Sequence, residues 1–286
     1  MNYGKVAIFG AGLIGGSIGL DLKKLKIASE ITAWGRDQKE IEQVLNAGVA
    51  DSVTSKISDA CKGAEIILLA APPEAIEHLL GLLPPYLDRG TLIIDVGSVK
   101  KSIVQAALKA IGSIPEVEFV GCHPMTGSER RGVENAHSGY FRGAPCILTP
   151  ADSNSEEMIE KAASFWRTLG MNVIQMSPEE HDLRIGLVSH LPHAVSLALL
   201  RSITKTISEP QKIRESAGPS FYDMTRIAAS PVSMWSEIYR ANAKNLVKSL
   251  EDITGELFRF KEALLSGDKK ALETYIKEAA LLRENI

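Results

Sequence analysis

The chain has 286 residues, 45% of them apolar and 23% charged, with a formal net charge of −3. That length is long for one domain and comfortable for two. The balance of charge excludes the basic surface that nucleic acid or an anionic membrane would need, so an anionic ligand has to be held by local cations.

The chain opens on a strand signal, and no signal peptide is expected before it. Residues 6–9 are an apolar run with the length and branching of a buried strand. Gly10, Gly12 and Gly15 follow in G-x-G-x-x-G spacing, and a helical pattern opens at Leu13 and Ile14. The first glycine permits the tight turn, the second lets the backbone approach a pyrophosphate, and the third lets helix and strand pack closely. The helix N-terminus offers free N–H groups and a positive dipole end to phosphates. The alternative is an ordinary strand–helix turn, but the flanking strand and helix favour a dinucleotide site.

A second strand is read at 31–34, followed by Gly35 and Arg36. An NAD site usually places an acid at this strand's end, where it accepts from the ribose 2′-hydroxyl. Here that place falls on Gly35 with Arg36 next, which suits a 2′-phosphate and favours NADP over NAD. Asp37 restores the acid if the strand runs longer. A helix at 38–46 follows, then an apolar strand at 65–71 that ends at Ala71 and Pro72, positions expected to line the cofactor. The next helix stops by Pro84-Pro85. A buried strand at 91–96, a helix at 99–111, strands at 116–120 and 146–149, a helix at 156–169 and a short strand at 172–175 complete the alternation. Residues 1–176 therefore read as a doubly wound α/β domain of the Rossmann type.

The pattern changes at Ser177-Pro178-Glu179-Glu180, a strong helix start. No strand signal follows. Helical periodicity runs to about residue 208 and is interrupted by Pro192, which predicts a kink. Ser230-Pro231 starts another helix, and 241–265 and 268–283 are helical. Residues 177–286 read as an all-α domain. The apolar stretches carry charge or proline before the ~18–20 residues of a membrane span, so no membrane association is expected. The cysteines, Cys61, Cys122 and Cys146, are odd in number and lack C-x-x-C spacing, which predicts reduced thiols and a cytoplasmic protein.

Four segments carry more chemistry than folding needs. Asp95 to Lys100 lies at a strand's carboxyl end, where open sheets bind ligands; Ser98 there is either a site residue or a helix N-cap. His123 follows another strand and is either a proton acceptor or a turn histidine, with Cys122 beside it as a possible reactive thiol. Ser189-His190-Leu-Pro-His193 places two histidines on one helix face. No carboxylate or cysteine stands at ligand spacing, so no metal site is expected. Arg226 sits among apolar residues, where it pairs either with Asp223 or with an anionic ligand.

Taken together, the fingerprint, Asp95–Lys100, the His-Pro-Met-Thr-Gly-Ser-Glu run from His123 to Glu129, Ser189–His193 and Asp223–Ala229 with Trp235 resemble the prephenate/arogenate dehydrogenase family of tyrosine biosynthesis. The resemblance implies a Rossmann domain, a helical dimerisation domain, a homodimer, and an active site between the two halves. It implies NAD(P)-dependent oxidative decarboxylation of prephenate or arogenate. His123 matches the base that takes the ring hydroxyl's proton, Ser98 the serine that supports it beside the nicotinamide, and Arg226 the arginine on a substrate carboxylate. His193 and Ser189 match residues near the substrate side chain, and Ser128 and Glu129 the mouth of the site. Gly218-Pro219-Ser220 departs from the run of glycines frequent in relatives, and no mutase or regulatory domain is expected. Two other readings stay open: a two-domain hydroxyacid dehydrogenase resembling 6-phosphogluconate dehydrogenase, and a non-catalytic nucleotide-sensing module.

Overall fold

The structure is a computed structural model that describes residues 2–126 and 130–285. The first apolar run forms β1 (Tyr3–Phe9), followed by α1 (Leu13–Leu25), β2 (Ala28–Trp34), α2 (Gln38–Asn46), β3 (Ser52–Thr54), α3 (Ile57–Cys61) and β4 (Ala64–Leu69). Then come α4 (Pro73–Leu82), β5 (Leu92–Asp95), α5 (Lys101–Ile111), β6 (Glu118–Pro124), β7 (Pro145–Thr149), α6 (Glu156–Thr168) and β8 (Asn172–Gln175). The sheet runs β3-β2-β1-β4-β5-β6-β7-β8. Its order reverses between β1 and β4, which opens the ligand crevice at the strands' carboxyl ends. Successive residues of β1 alternate between two cores. Val6 and Ile8 pack with Ile18, Leu22 and Trp166, while Ala7 and Phe9 pack with Ile76 and Ile103. A strand covered on both faces requires this two-sided burial.

The sheet is not parallel throughout. β7 pairs antiparallel with β6, whose Gly121–Pro124 stretch faces Thr149–Cys146. This pairing carries β6 through Pro124 rather than ending it near residue 120, so His123 lies within the strand and not past it. The edge strand β3 and the short α3 escape the sequence pattern because three half-exposed residues make no apolar run. Helix α5 begins at Lys101, and Ser98 is not its N-cap.

In the second half, Ser177 Oγ accepts the Glu180 N–H at 3.1 Å and starts α7 (Pro178–Ile185), with Pro178 as its first residue. A π-helical turn at Gly186–His190 joins α7 to α8 (Leu191–Thr206). Pro192 clashes with the preceding turn and removes a donor, and the widened turn absorbs both effects. Five helices follow: α9 (Pro210–Ser216), α10 (Pro219–Thr225), α11 (Val232–Ala241), α12 (Ala243–Leu265) and α13 (Lys269–Glu284). The helix Pro178–Thr206 is long and apolar enough to cross a membrane by length and composition, against the sequence expectation. Pro192 does not break it, and its charges fall toward its ends. Its buried positions hold Asp182, His190 and His193.

The halves meet along α4 and α5. The Glu74 N–H donates to Glu237 at 3.1 Å, and Arg240 pairs with the Glu74 carboxylate at 2.9 Å. Ile238, with Met234 and Trp235, joins the core beneath α4.

Candidate active site

The fingerprint glycines have different reasons to be glycine. Gly10 has φ +94°, and a Cβ there would stand 2.5 Å from the Ala70 carbonyl oxygen. A Cβ on Gly15 would meet the Gly10 carbonyl, Ala70 and Ile8. Both are demanded by the packing of β1, α1 and β4. At Gly12 nothing lies within 4 Å of a Cβ, so packing does not explain it. The open space there leaves room for a ligand to approach the backbone. Gly12 also caps α1 without a side-chain hydrogen bond, and the half-buried Leu13 and Ile14 open the helix behind it. These features fit a pyrophosphate.

Beside this turn lies a cavity of about 280 Å³ whose lining includes Gly12, Arg36, Lys39, Gln43, Gly132 and Val133. Gly35 follows β2 directly, and a Cβ there would stand 2.9 Å from Ile41 Cγ1. Asp37 is not free at the strand end, because its Oδ1 caps α2 by accepting the Glu40 N–H at 2.9 Å. Arg36 is exposed and contacts Glu40 at 3.3 Å. Ala71 is half-buried and Pro72 exposed at the carboxyl end of β4. Sequence reasoning missed Lys39, Gly132 and Val133. The last two arrive from the long β6–β7 connection, which packs on α1 where Gly16 admits Val133 and Ala136.

At the neighbouring strand ends, Asp95 is fully buried and multiply bonded. Oδ1 accepts the Cys122 N–H at 2.8 Å, and Oδ2 accepts the Gly97 N–H at 2.8 Å and the Lys100 ammonium. Lys100 Nζ also donates to the Cys122 carbonyl at 2.9 Å. This buried pair pins β5 to β6 directly under His123. Burial pushes the Cys122 thiol up to about 12, so it is an inert core thiol and not a reactive one.

His123 is 8% exposed. Its Nδ1 lies 2.8 Å from His181 Nε2, and His181 Nδ1 lies 2.8 Å from Asp182 Oδ1. The partner of His123 Nδ1 is thus His181, where the resemblance implied Ser98. Ser98 is half-buried on the bend after β5. Burial, then the charges of His181, Lys100 and His190, hold the His123 imidazole well below its ordinary range. Burial also lowers His181, against the pull of Asp182. For Asp182, burial opposes the carboxylate, but hydrogen bonds from His181 and from the backbone of Lys100 and Lys101 win and keep it ionised.

His190 and His193 are both buried. His190 Nδ1 lies 3.1 Å from Asn242 Nδ2, and burial pushes its pKa down to about 4. The His193 ring stacks on Trp235, with centroids 3.6 Å apart and planes 2° apart, and its Nδ1 bonds the Tyr239 hydroxyl. The backbone of Ser98 lies against the His190 ring and that of Ile227 against the His193 ring. Ser189 is half-buried in the π turn. Arg226 is exposed at the start of a 3₁₀ turn that packs on α8. Ser128 and Glu129 lie outside the described residues. No group of three or more metal-ligating side chains is found among the described residues.

Comparison with known proteins agrees with this geometry. A family model described as prephenate dehydrogenase, nucleotide-binding domain matches residues 18–175, and one described as prephenate dehydrogenase, dimerization domain matches residues 177–278. A cyclohexadienyl dehydrogenase of Zymomonas mobilis is 30% identical over 280 residues, spanning 97% of this chain and 94% of that one. The prephenate dehydrogenase of A. aeolicus, solved with hydroxyphenyl propionate and NAD+, superposes with a TM-score of 0.91 at 30% identity, covering 100% of this chain and 99% of the other. The arogenate dehydrogenase of Synechocystis superposes with a TM-score of 0.84 at 26% identity, covering 98% and 99%. These matches over nearly the whole chain show an oxidoreductase with a nicotinamide cofactor, and the chain belongs to the prephenate dehydrogenase family.

Proposed function

We propose that His123 is the general base for oxidative decarboxylation of prephenate or arogenate in the cleft between residues 1–176 and 177–286. The observation that carries this is a buried imidazole held neutral at the sheet's carboxyl edge and bonded through its far nitrogen. The substrate is a cyclohexadienol with a ring carboxylate. His123 accepts the proton of the ring hydroxyl. When bound, the oxidised nicotinamide accepts the hydride from the carbon that bears it. The ketone so formed is conjugated to the carbon holding the ring carboxylate, and loss of carbon dioxide leaves an aromatic ring. Ser98 lies beside the nicotinamide in this reading, and Arg226 forks onto a substrate carboxylate. His193 and Ser189 face the substrate side chain in this reading. Gly10, Gly12, Leu13, Ile14 and Gly15 cradle the pyrophosphate, while Ala71 and Pro72 close the far wall.

The cofactor is used as NADP+ at least as well as NAD+. Support comes from Gly35 at the strand end, Arg36 and Lys39 on the cavity wall, and the engagement of Asp37 as a cap. Two chains form a homodimer through residues after about 177. The apolar outer face of Pro178–Thr206 then meets a second copy rather than lipid. Three buried, unpaired cysteines support a reducing, cytoplasmic setting.

His123→Asn keeps a hydrogen bond but loses proton acceptance. Its kcat should fall roughly 10²–10⁴-fold with dinucleotide affinity unchanged. In the wild type, kcat should hold as pH falls through ~6.5 and drop only at the lower pKa of the buried ring. Appearance of reduced nicotinamide with prephenate and with arogenate reads both. Near-normal kcat in the variant returns His123 to a structural role.

A further inference from the structure

The base reading leaves Asp182 and His181 without a task, yet both are buried in contact with it. Asp182 is ionised and therefore only accepts. It takes the Lys100 N–H at 2.8 Å and the Lys101 N–H at 3.0 Å, so His181 Nδ1 at 2.8 Å must be its donor as well. A neutral His181 with hydrogen on Nδ1 has a lone pair on Nε2. His123 Nδ1, 2.8 Å away, must then carry a hydrogen and donate it. The opposite arrangement would set the His181 Nδ1 lone pair against a carboxylate at 2.8 Å. A doubly protonated His181 is disfavoured by burial and by the Lys100 ammonium.

Resting on the reading of His123 as base, the geometry points to His181 as a positioning residue that, anchored by Asp182, fixes His123 as the tautomer with hydrogen on Nδ1 and a lone pair on Nε2. Only this tautomer takes a proton at the ring nitrogen that His181 does not occupy. The groups facing the pair are Asp95 and Lys100 from the β5 edge, Cys146 from β7, Asp182 from α7 and His190 from the π turn. The Lys100 ammonium disfavours a second proton on either ring, and Asp182 is the carboxylate that His181 Nδ1 meets at 2.8 Å, which makes it the directing charge. Protonation of His181 would reverse the relay: its Nε2 would donate to His123 Nδ1 and push the remaining hydrogen onto Nε2. The acid loss of activity then belongs to the pair rather than to one ring.

The test combines spectroscopy with kinetics on the full-length enzyme. Nitrogen-15 spectra of histidine-labelled wild type should show His123 protonated on Nδ1 and bare on Nε2, with the resonance assigned by its loss in His123→Asn. His181→Leu should shift the ring toward the other tautomer and lower kcat by about 10- to 100-fold, as expected when a positioning partner is lost. Substrate KM and dinucleotide affinity should stay put, and the acid limb of the kcat profile should move. His181→Gln should recover part of the loss, since its carboxamide can accept from His123 and donate to Asp182. A wild-type His123 protonated on Nε2, or His181→Leu with kcat within about twofold of wild type and an unmoved pH profile, overturns the assignment. If His181→Leu does not fold, the wild-type tautomer decides alone. Near-normal kcat in His123→Asn defeats the base reading itself, whereas an inactive His123→Asn beside a normal His181→Leu defeats only the relay.

Discussion

Arg226 and Arg36 illustrate how far a single cation can be read. Arg226 stands exposed on a turn over α8. As a carboxylate anchor its fork is worth about 1.5–3 kcal/mol. Arg226→Gln should therefore raise substrate KM by one to two orders of magnitude, with Arg226→Lys recovering only part and Tm little changed. A fall in Tm with unchanged KM would mark it as structural. At Arg36, removing a 2′-phosphate contact should cost NADP+ far more than NAD+. Arg36→Ala is expected to lower kcat/KM for NADP+ about tenfold or more with NAD+ nearly unaffected, and equal losses on both would remove the phosphate assignment. His123 and His193 stood out in the sequence as histidines at a strand's end and on an apolar helix, and both are buried; Arg226 stood out among apolar neighbours but lies exposed. His181 and Asp182 did not stand out. They follow a strong helix start and look like its polar first turns, and only the return of α7 across α5 brings them under the base. Tyr239 and Trp235 became partners of His193 for the same reason, being brought to it by tertiary packing.

The glycine turn separates two kinds of constraint within one element. Gly10→Ala must place a side chain at φ +94° against the Ala70 carbonyl, which costs at least ~1–2 kcal/mol and lowers Tm by several degrees. Gly12→Ala enters open space, so Tm should barely move while dinucleotide affinity falls about tenfold, read by calorimetric titration. If Gly12→Ala unfolds the protein instead, that glycine is structural. Elements with long apolar runs, such as β1, β4 and β5, were readable for this same local reason. The reversal of β7 was not, since parallel and antiparallel strands buried on both faces share one pattern. The π turn was partly readable: Pro192 announced a disturbance, and the chain widens a turn just ahead of it.

At the scale of the molecule, four buried histidines, His123, His181, His190 and His193, are all held below their ordinary pKa by burial. The folded state thus binds fewer protons than the unfolded one, and stability must fall as pH drops below ~6.5. For His190, with a folded value of about 4, the loss runs at about 1.4 kcal/mol per pH unit down to that value. Tm should decline steadily from pH 7 to pH 5, and a flat profile would contradict this burial. The helical half also leaves Val232 85% and Leu257 61% exposed in the single chain, and Phe258 and Leu265 are exposed as well. So much apolar surface suits a second copy. Sedimentation at micromolar concentration should give the dimer mass, and Phe258→Glu should weaken it; a monomeric wild type would refute the assembly.

The Asp182 carboxylate has a further consequence. It closes the exposed N–H groups at the head of α5 and, with the same atoms, orients the ring that orients the base. The seam between the halves is in this way a latch that also arms the chemistry. Separating the halves there would leave a bare helix end and a histidine free to flip its hydrogen, so any breathing that admits substrate has to hinge elsewhere. The natural joint for exchanging parts with a relative is therefore not the composition break at residue 177. It lies beyond Ile185, so that the first turns of the helical half travel with the sheet whose base they command.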